Sequence, residues 1–370
     1  MSQNHSENSR AAGRMKQYLQ KIATGPKMSK DLSEEEAEDA LTLILNGAVS
    51  EVRAAIFLIA ARMKLETVQE NSGYWRALDK TTKKEEVKLD HLLQIADPFD
   101  GFNRVPYFGF YVIPVIAAMG VPVYGHSALP LPPKFGITYE SLLQDYYKAR
   151  SDSTLDQRIR LIEEFRFGYV GTEQSHPPLE NLREIREEIV KRPMLATLEK
   201  MLMPLRAKKK NYLATSYFHR GYEVSMLAVA RLSLFDTTVI GNGMESCTLF
   251  GALKPSNIFI SSGEEEPVER KLAPANMFAA DTAKKIAEAY ETLKKETAKL
   301  DTLADMGESA LKKNSGPAAP LIACQASVLS HLFGIFPGPQ TGYDDAEEIL
   351  AKGAIYSPLM RYLEKAGSSI

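Results

Sequence analysis

The residues best placed to do chemistry fall in one stretch, Asp97-Pro98-Phe99-Asp100-Gly101-Phe102-Asn103-Arg104, followed by Tyr124-Gly125-His126-Ser127 and Pro132-Pro133-Lys134-Phe135-Gly136. Asp100-Gly101 has the composition of a tight turn, and Arg104 and Lys134 are cations that could hold an anion beside it. Residues 87–96 alternate as a buried strand, so the turn is expected at a strand's carboxyl end, facing a helix start. Open α/β sheets bind ligands at that place. The helix is expected within the apolar run to Met119, with Pro114 imposing a kink or a late start and Gly120 ending it in the left-handed conformation. Read alone, the same Asp-Gly pair is simply a turn.

A second polar group, Tyr217, His219 and Arg220, lies near an expected strand end and could line the same cleft, although a histidine there is more often satisfied within the core. Cys247, beside Ser246, has no neighbouring base in sequence, so no nucleophile is assigned. With Cys324 it makes the whole cysteine complement, without metal-ligand spacing. That excludes a disulfide framework and fits a reducing, cytoplasmic setting.

These groups need elements to hold them. The chain has 370 residues, 44% of them hydrophobic, enough for two domains or for one large domain with a lobe. Its formal charge of −2 announces neither a nucleic-acid binder nor a membrane-surface protein, and no apolar run reaches the length of a membrane span. Residues 1–14 are polar and are expected as a disordered tail. From Met15 the pattern turns helical, with Tyr18, Leu19 and Ile22 on one face. A capping box at Ser33-Glu34-Glu35-Glu36 opens a second helix, Ser50 caps a third that is apolar almost all round, and Thr67 caps a fourth. This predicts a helical lobe over 15–86 and an α/β domain over 87–370, with the segment about 176–205 packing with the lobe. Within the α/β domain the patterns predict helices over 139–150, 276 to about 306, 317–333 and 344–365, and a strand over 165–170.

Residues 15–82 resemble the helical domain of the anthranilate phosphoribosyltransferase family, through Leu32-Ser33-Glu34-Glu35-Glu36-Ala37, Leu45-Asn46-Gly47, Phe57-Leu58-Ile59-Ala60-Ala61-Arg62 and Lys64-Leu65-Glu66-Thr67. The likeness runs on to about Lys365. It implies an α/β fold: a small N-terminal helical domain that makes a homodimer contact, and a larger α/β domain with a central, mainly parallel sheet flanked by helices. It also implies a transferase of tryptophan biosynthesis that handles phosphoribosyl pyrophosphate, Mg²⁺ and an aromatic acid.

Three motifs of that family differ here. Its Gly-Thr-Gly-Gly-Asp loop is replaced by the 97–104 segment, whose Phe99 and Phe102 are expected to obstruct a pyrophosphate; its Lys-His-Gly-Asn becomes Tyr124-Gly125-His126-Ser127; and its Asp-Glu pair leaves only Glu245, within Gly241-Asn242-Gly243-Met244-Glu245. The chain thus resembles a divergent branch with an Asp-Gly-Arg-like loop and a later Pro-x-Lys-x-Gly. By that resemblance Asp100, Gly101, Asn103, Arg104, Gly125, His126 and Lys134 are expected on the donor side, Glu245 at the metal, and His176, Asn181, Arg186 and Arg192 on the acceptor side. Without the family, Arg186 among Glu184, Glu187 and Glu188 reads as a surface helix residue. Two further classes stay open: a ligand-sensing dimer without turnover, and a nucleic-acid-binding dimer. The latter would use Arg206, Lys208, Lys209 and Lys210, with Lys80, Lys83, Lys84 and Lys88, and would stack bases on Tyr212, Tyr217 and Phe218.

Overall fold

The computed structural model describes residues 2–25, 27–103, 107–252, 254–263, 265–294 and 296–367, with side chains from Ser9 onward. The chain opens with α1 (Ser2–Ile22), α2 (Glu34–Leu45), α3 (Glu51–Lys64) and α4 (Val68–Thr81). Residues 2–14, expected as a disordered tail, belong to α1. Ala11 is buried in the lobe core, and the Ala12 carbonyl accepts from Arg53 of α3 at 3.0 Å, so a polar sequence is held by tertiary contacts. The capping boxes at Ser33 and Thr67 close as predicted. Glu70, in the second box, is fully buried and also binds Lys64 at 2.8 Å, joining α3 to α4.

Among the described residues nine strands follow: β1 (Glu85–Glu86), β2 (His91–Ala96), β3 (Val123–Ser127), β4 (Phe167–Gly171), β5 (Leu205–Arg206), β6 (Lys210–Ser216), β7 (Thr237–Gly241), β8 (Ser256–Ser262) and β9 (Val268–Leu272). β1 and β5 pair by themselves, and the other seven form one sheet in the order β4-β3-β2-β6-β7-β8-β9. β4, β3, β2, β6 and β7 run parallel, whereas β8 and β9 are antiparallel additions. The chain winds outward from β2 through β3 to β4, then returns to β6 on the opposite side of β2. The carboxyl ends of β2 and β6 therefore flank the point where strand order reverses.

Helix α5 (Gly109–Ala118) packs with the long helix Ala318–Leu332 over one face of the sheet, in a core that includes Leu93, Ile95, Val112, Ile116, Leu321 and Val328. Pro114 lies inside α5 rather than at its start. Lacking an N–H, it cannot bond the Phe110 carbonyl one turn back, and the Tyr169 hydroxyl of β4 donates to that carbonyl at 2.7 Å instead. Gly120 follows at φ +100°, ending the helix as predicted.

Other expected helices are divided. The 139–150 helix contains a π-helical turn, Ser141–Tyr146, and the charged helix expected over 276–306 is three pieces, Pro274–Met277, Ala280–Leu293 and Leu300–Lys313. In the last break the Ala298 N–H turns toward the Asn103 carbonyl at 3.4 Å. The 344–365 helix is likewise two, Pro339–Ala351 and Tyr356–Gly367. Among the described residues no helix is long and apolar enough to cross a membrane.

The segment after β4 returns to the helical lobe: Leu179, Leu182, Met194, Leu195 and Leu198 share a core with Phe57, Leu58, Tyr74 and Leu78. The Trp75 indole N–H donates to the Met201 carbonyl at 3.3 Å. A cleft is left between lobe and sheet, over the carboxyl ends of β2, β6 and β7.

Candidate functional site

The cleft has a volume of about 1530 Å³ and is lined by Pro98, Phe99, Asp100 and Asn103 after β2, by Ser216 to Tyr222 after β6, and by Met244, Glu245 and Ser246 after β7. Arg62, Leu65, Glu66 and Asn71 face it from the helical lobe, and Arg186 to Thr197 from the segment between. Lysines and arginines outnumber carboxylates along it.

The floor is anchored by Asp97, the first residue after β2. Its buried carboxylate accepts from the Tyr107 hydroxyl at 2.6 Å, the Tyr139 hydroxyl at 2.7 Å, the Thr248 N–H at 2.8 Å and the Thr248 hydroxyl at 3.3 Å. It thereby ties together three loops, and its oxygens are spent on protein donors. Burial raises its pKa while those hydrogen bonds lower it, with burial the larger effect.

Asp100 and Gly101 make the predicted turn. Gly101 sits at φ +76°, and a Cβ there would lie 2.3 Å from the Gly136 carbonyl, so the turn needs glycine for both conformation and space. The close approach lets Gly136 N–H donate to the Asp100 carbonyl at 2.9 Å and Phe102 exchange backbone hydrogen bonds with Ile137 at 3.1 and 3.0 Å. The Asp-Gly turn and the Lys134 loop are thus one unit. Phe102 stacks on Tyr107 at 3.9 Å and does not line the cleft, whereas Phe99, set edge-on to His126 at 5.2 Å and 1% exposed, forms part of the cleft wall.

Among the described residues, four charged side chains meet above this unit. Arg192 binds the Asp100 carboxylate through Nε at 2.6 Å and also through Nη2. Lys134 Nζ lies 3.6 Å from Asp100 Oδ1 and 3.3 Å from Glu245 Oε1. The Asn103 side-chain amide donates to the Lys134 carbonyl at 3.0 Å, and its backbone N–H points to Glu245 Oε1 at 3.4 Å. Of the expected donor side, Asp100, Gly101, Asn103 and Lys134 come together here, with Glu245 and with Arg192, which was expected among the acceptor residues. Arg104 lies outside the described residues.

The others are placed elsewhere. Gly125 is interior to β3, where a Cβ would meet the Tyr139 ring at 2.7 Å. His126 is 1% exposed, Gln94 Nε2 lies 3.3 Å from its Nδ1 and the Ser175 hydroxyl 3.3 Å from its Nε2. Burial pushes its pKa down to about 3, so it is a neutral core group at neutral pH. His176 caps the short helix Pro177–Glu180: its Nδ1 accepts from Leu179 N–H at 2.9 Å, and its Nε2 lies 2.9 Å from the Leu78 carbonyl and 3.0 Å from the Thr81 hydroxyl. It is a strut between α4 and the connecting segment. Asn181 is exposed and does not line the cleft.

Arg186 does reach the cleft wall, though its guanidinium is committed. It is 4% exposed and holds Glu199 bidentately, Nη1 to Oε2 at 2.7 Å and Nη2 to Oε1 at 3.0 Å. The surface-residue alternative is overturned by that burial, and an acceptor carboxylate would have to displace Glu199.

Beside Glu199 stands Lys200, which the sequence reading passed over inside an apolar run. It is 4% exposed, donates to the Ser216 carbonyl at 2.5 Å, and lines the cleft. Burial pushes its pKa down to about 8, opposed by the carboxylates of Asp97, Glu199 and Asp100. The available signal was a charged pair, Glu199-Lys200, interrupting an otherwise apolar stretch.

Half of each basic run is ion-paired: Lys209 pairs with Asp90 at 2.8 Å, Lys210 with Asp236 at 3.0 Å, Lys84 with Asp79 at 2.6 Å and Lys80 with Glu38, which halves the charge each run could offer to a nucleic acid.

A sequence profile described as the glycosyl transferase family, helical bundle domain, matches residues 16–82. An uncharacterized protein of Aquifex aeolicus is 29% identical over 217 residues, 58% of this chain and 64% of that one. The anthranilate phosphoribosyltransferase of Methanopyrus kandleri is 26% identical over 223 residues, 58% of this chain and 62% of that protein. The chain thus spans less than two thirds of the length of these relatives. The structure of anthranilate phosphoribosyltransferase from Saccharomyces cerevisiae in complex with PRPP and Mg superposes with a TM-score of 0.74 at 15% identity, covering 96% of this chain and 98% of that one.

The residues here do not fit a carboxylate-held Mg²⁺. Among the described residues no group of three or more His, Cys, Asp or Glu side chains could hold a metal, and the Lys134 ammonium contacts both the Asp100 and the Glu245 carboxylate.

Proposed function

We infer that this chain, an anthranilate phosphoribosyltransferase-like protein of the glycosyl transferase family, binds a phosphorylated anion in the cleft between its helical and α/β lobes. One observation carries the reading: a cation-rich cleft stands over the carboxyl ends of β2 and β6, where the strand order reverses. Lys191, Arg220 and Lys254 line it without an ion-pair partner among the described residues, and Lys200 supplies a buried ammonium at its floor. Phosphoribosyl pyrophosphate fits this chemistry better than an aromatic acid, because Arg186 is already engaged with Glu199. Pentosyl transfer requires only that donor and acceptor be held and the leaving charge be stabilised, so donor affinity is the first quantity to establish.

Calorimetric titration with phosphoribosyl pyrophosphate, with and without Mg²⁺, tests the reading. Saturable heat together with thermal stabilisation supports it, and their joint absence defeats it. A second titration with anthranilate in the presence of the donor separates a transferase from a protein that only senses the phosphorylated ligand.

A homodimer through the helical lobe is part of the same reading. Val52, Ile56 and Met63 share one exposed face of α3, and Val52 is 68% exposed. Solvent-facing apolar residues in such a row suit a second copy.

A further inference from the structure

Asp100, Lys134 and Glu245 arrive from the loops after β2, β3 and β7, and the chain holds each in place. The Asp100 turn is locked to the Lys134 loop by the Gly101–Gly136 contact. Glu245 and Ser246 are both left-handed, at φ 49° and 68°, and a Cβ on Gly243 would lie 1.9 Å from the Cys247 carbonyl. Backbone strain in non-glycine residues persists only where the surroundings enforce it, and here it aims Glu245 at Lys134. The lysine stem is fixed as well, with Nζ 5.4 Å from the centroid of the Phe102 ring and the side chain 19% exposed.

The outcome, among the described residues, is an ammonium in contact with two carboxylates, with Arg192 also binding Asp100. A divalent cation between the same carboxylates would also neutralise them and would turn its remaining positions toward a phosphate. An ammonium has three donors; one is given to Glu245 at 3.3 Å and Asp100 is met at 3.6 Å as a charge contact, which leaves donor capacity for a ligand in the cleft. Mg²⁺ bridging the two carboxylates would have to displace this ammonium.

We propose that Lys134 is a built-in replacement for a divalent cation, and that the cleft takes its phosphate or pyrophosphate ligand free of metal. This rests on the anion-binding reading above and deepens it. The assignment also explains how the chain lacks the family's Asp-Glu pair yet retains a polar, inward-facing Glu245: the residue positions a lysine.

Two measurements on the intact protein separate this inference from the reading beneath it. Mn²⁺ binding is followed by electron paramagnetic resonance without any anion; inorganic pyrophosphate binding is followed by calorimetry in EDTA and in millimolar Mg²⁺. Wild type should bind no Mn²⁺ at this site and should bind pyrophosphate equally well in both buffers. Lys134→Met, which keeps the stem against Phe102, should gain one Mn²⁺ site that Glu245→Gln then removes. In EDTA that variant should lose about tenfold or more in pyrophosphate affinity, the worth of a charge-assisted hydrogen bond, and recover it with Mg²⁺. Mn²⁺ bound to wild type and lost with Glu245→Gln, or pyrophosphate binding that requires Mg²⁺, overturns the proposal. So does a folded Lys134→Met with no Mn²⁺ site, and the wild-type arms decide the matter if that variant does not fold. If pyrophosphate fails to bind in either buffer, the anion-binding reading falls, while the Mn²⁺ arm still judges the role of Lys134.

Discussion

Arg186 shows how one side chain changes meaning once its partner is known. In sequence it stands among glutamates on a short helix and looks solvated; in the fold it is buried against Glu199, thirteen positions on. A buried pair contributes little net stability, yet removing one member strands the other. Arg186→Ala should therefore cost about 3–5 kcal/mol in urea unfolding, because it leaves the Glu199 carboxylate unpaired in the interior. Unchanged stability with weakened binding of an aromatic acid would instead mean that the guanidinium serves the ligand. Lys200 makes a pH prediction. Its folded pKa, about 8, lies below the ordinary lysine value of 10.5, so between those values the unfolded chain binds the extra proton. Stability should rise with pH across that window, by about 3 kcal/mol at most, and Lys200→Met should flatten the rise. A rise that persists in the variant assigns it to another group. His126 acts in the same sense at lower pH: its value of about 3 against 6.5 means that stability falls as pH drops through that range. His126→Leu should reduce the fall, and an unaltered acid limb in chemical denaturation would contradict the assignment.

Among the elements, helix α5 is the clearest case of sequence rules being met by an unexpected route. Pro114 was expected to kink or delay the helix, whereas the helix begins at Gly109 and the cost is met by Tyr169 donating to the Phe110 carbonyl. Tyr169→Phe should destabilise by about 1–3 kcal/mol, the penalty of an unsatisfied buried carbonyl. In a Pro114→Ala background the new N–H can bond that carbonyl within the helix, and the Tyr169→Phe cost should shrink. Equal costs in both backgrounds, measured as a double-mutant cycle, would remove the compensation. Capping boxes, strand alternation and the Gly120 stop were legible because each depends on residues within a few positions. The break near Lys294, the Gly101–Gly136 contact and the burial of Glu199-Lys200 depend on neighbours far along the chain, which periodicity does not register. His126 was expected in the site through the likeness of Tyr124-Gly125-His126-Ser127 to a Lys-His-Gly-Asn motif, and that local likeness does not register Gln94 and Ser175, which occupy its nitrogens.

For the molecule as a whole, the reversal of strand order at β2 and β6 decides where a ligand would bind, and the helical lobe with its returning segment closes that place into a cleft. The order of helices and strands was readable in outline. The distribution of charge was not, because the exposed lysine runs are partly compensated by Asp90, Asp236 and Asp79 while cations outnumber carboxylates along the cleft. If α3 carries the contact with a second copy, Ile56→Asp should shift sedimentation toward the monomer without unfolding the chain, and an unaltered sedimentation coefficient would place any association elsewhere. The cleft's affinity for anions should weaken as salt is raised, though less steeply than for an open surface, since buried charges are screened less. The most direct test of the account is a calorimetric titration of the wild-type protein with phosphoribosyl pyrophosphate at low ionic strength, paired with a thermal melt. Saturable heat with a raised melting temperature is the predicted result. A flat titration with an unmoved melt would contradict the claim that this cleft binds a phosphorylated ligand.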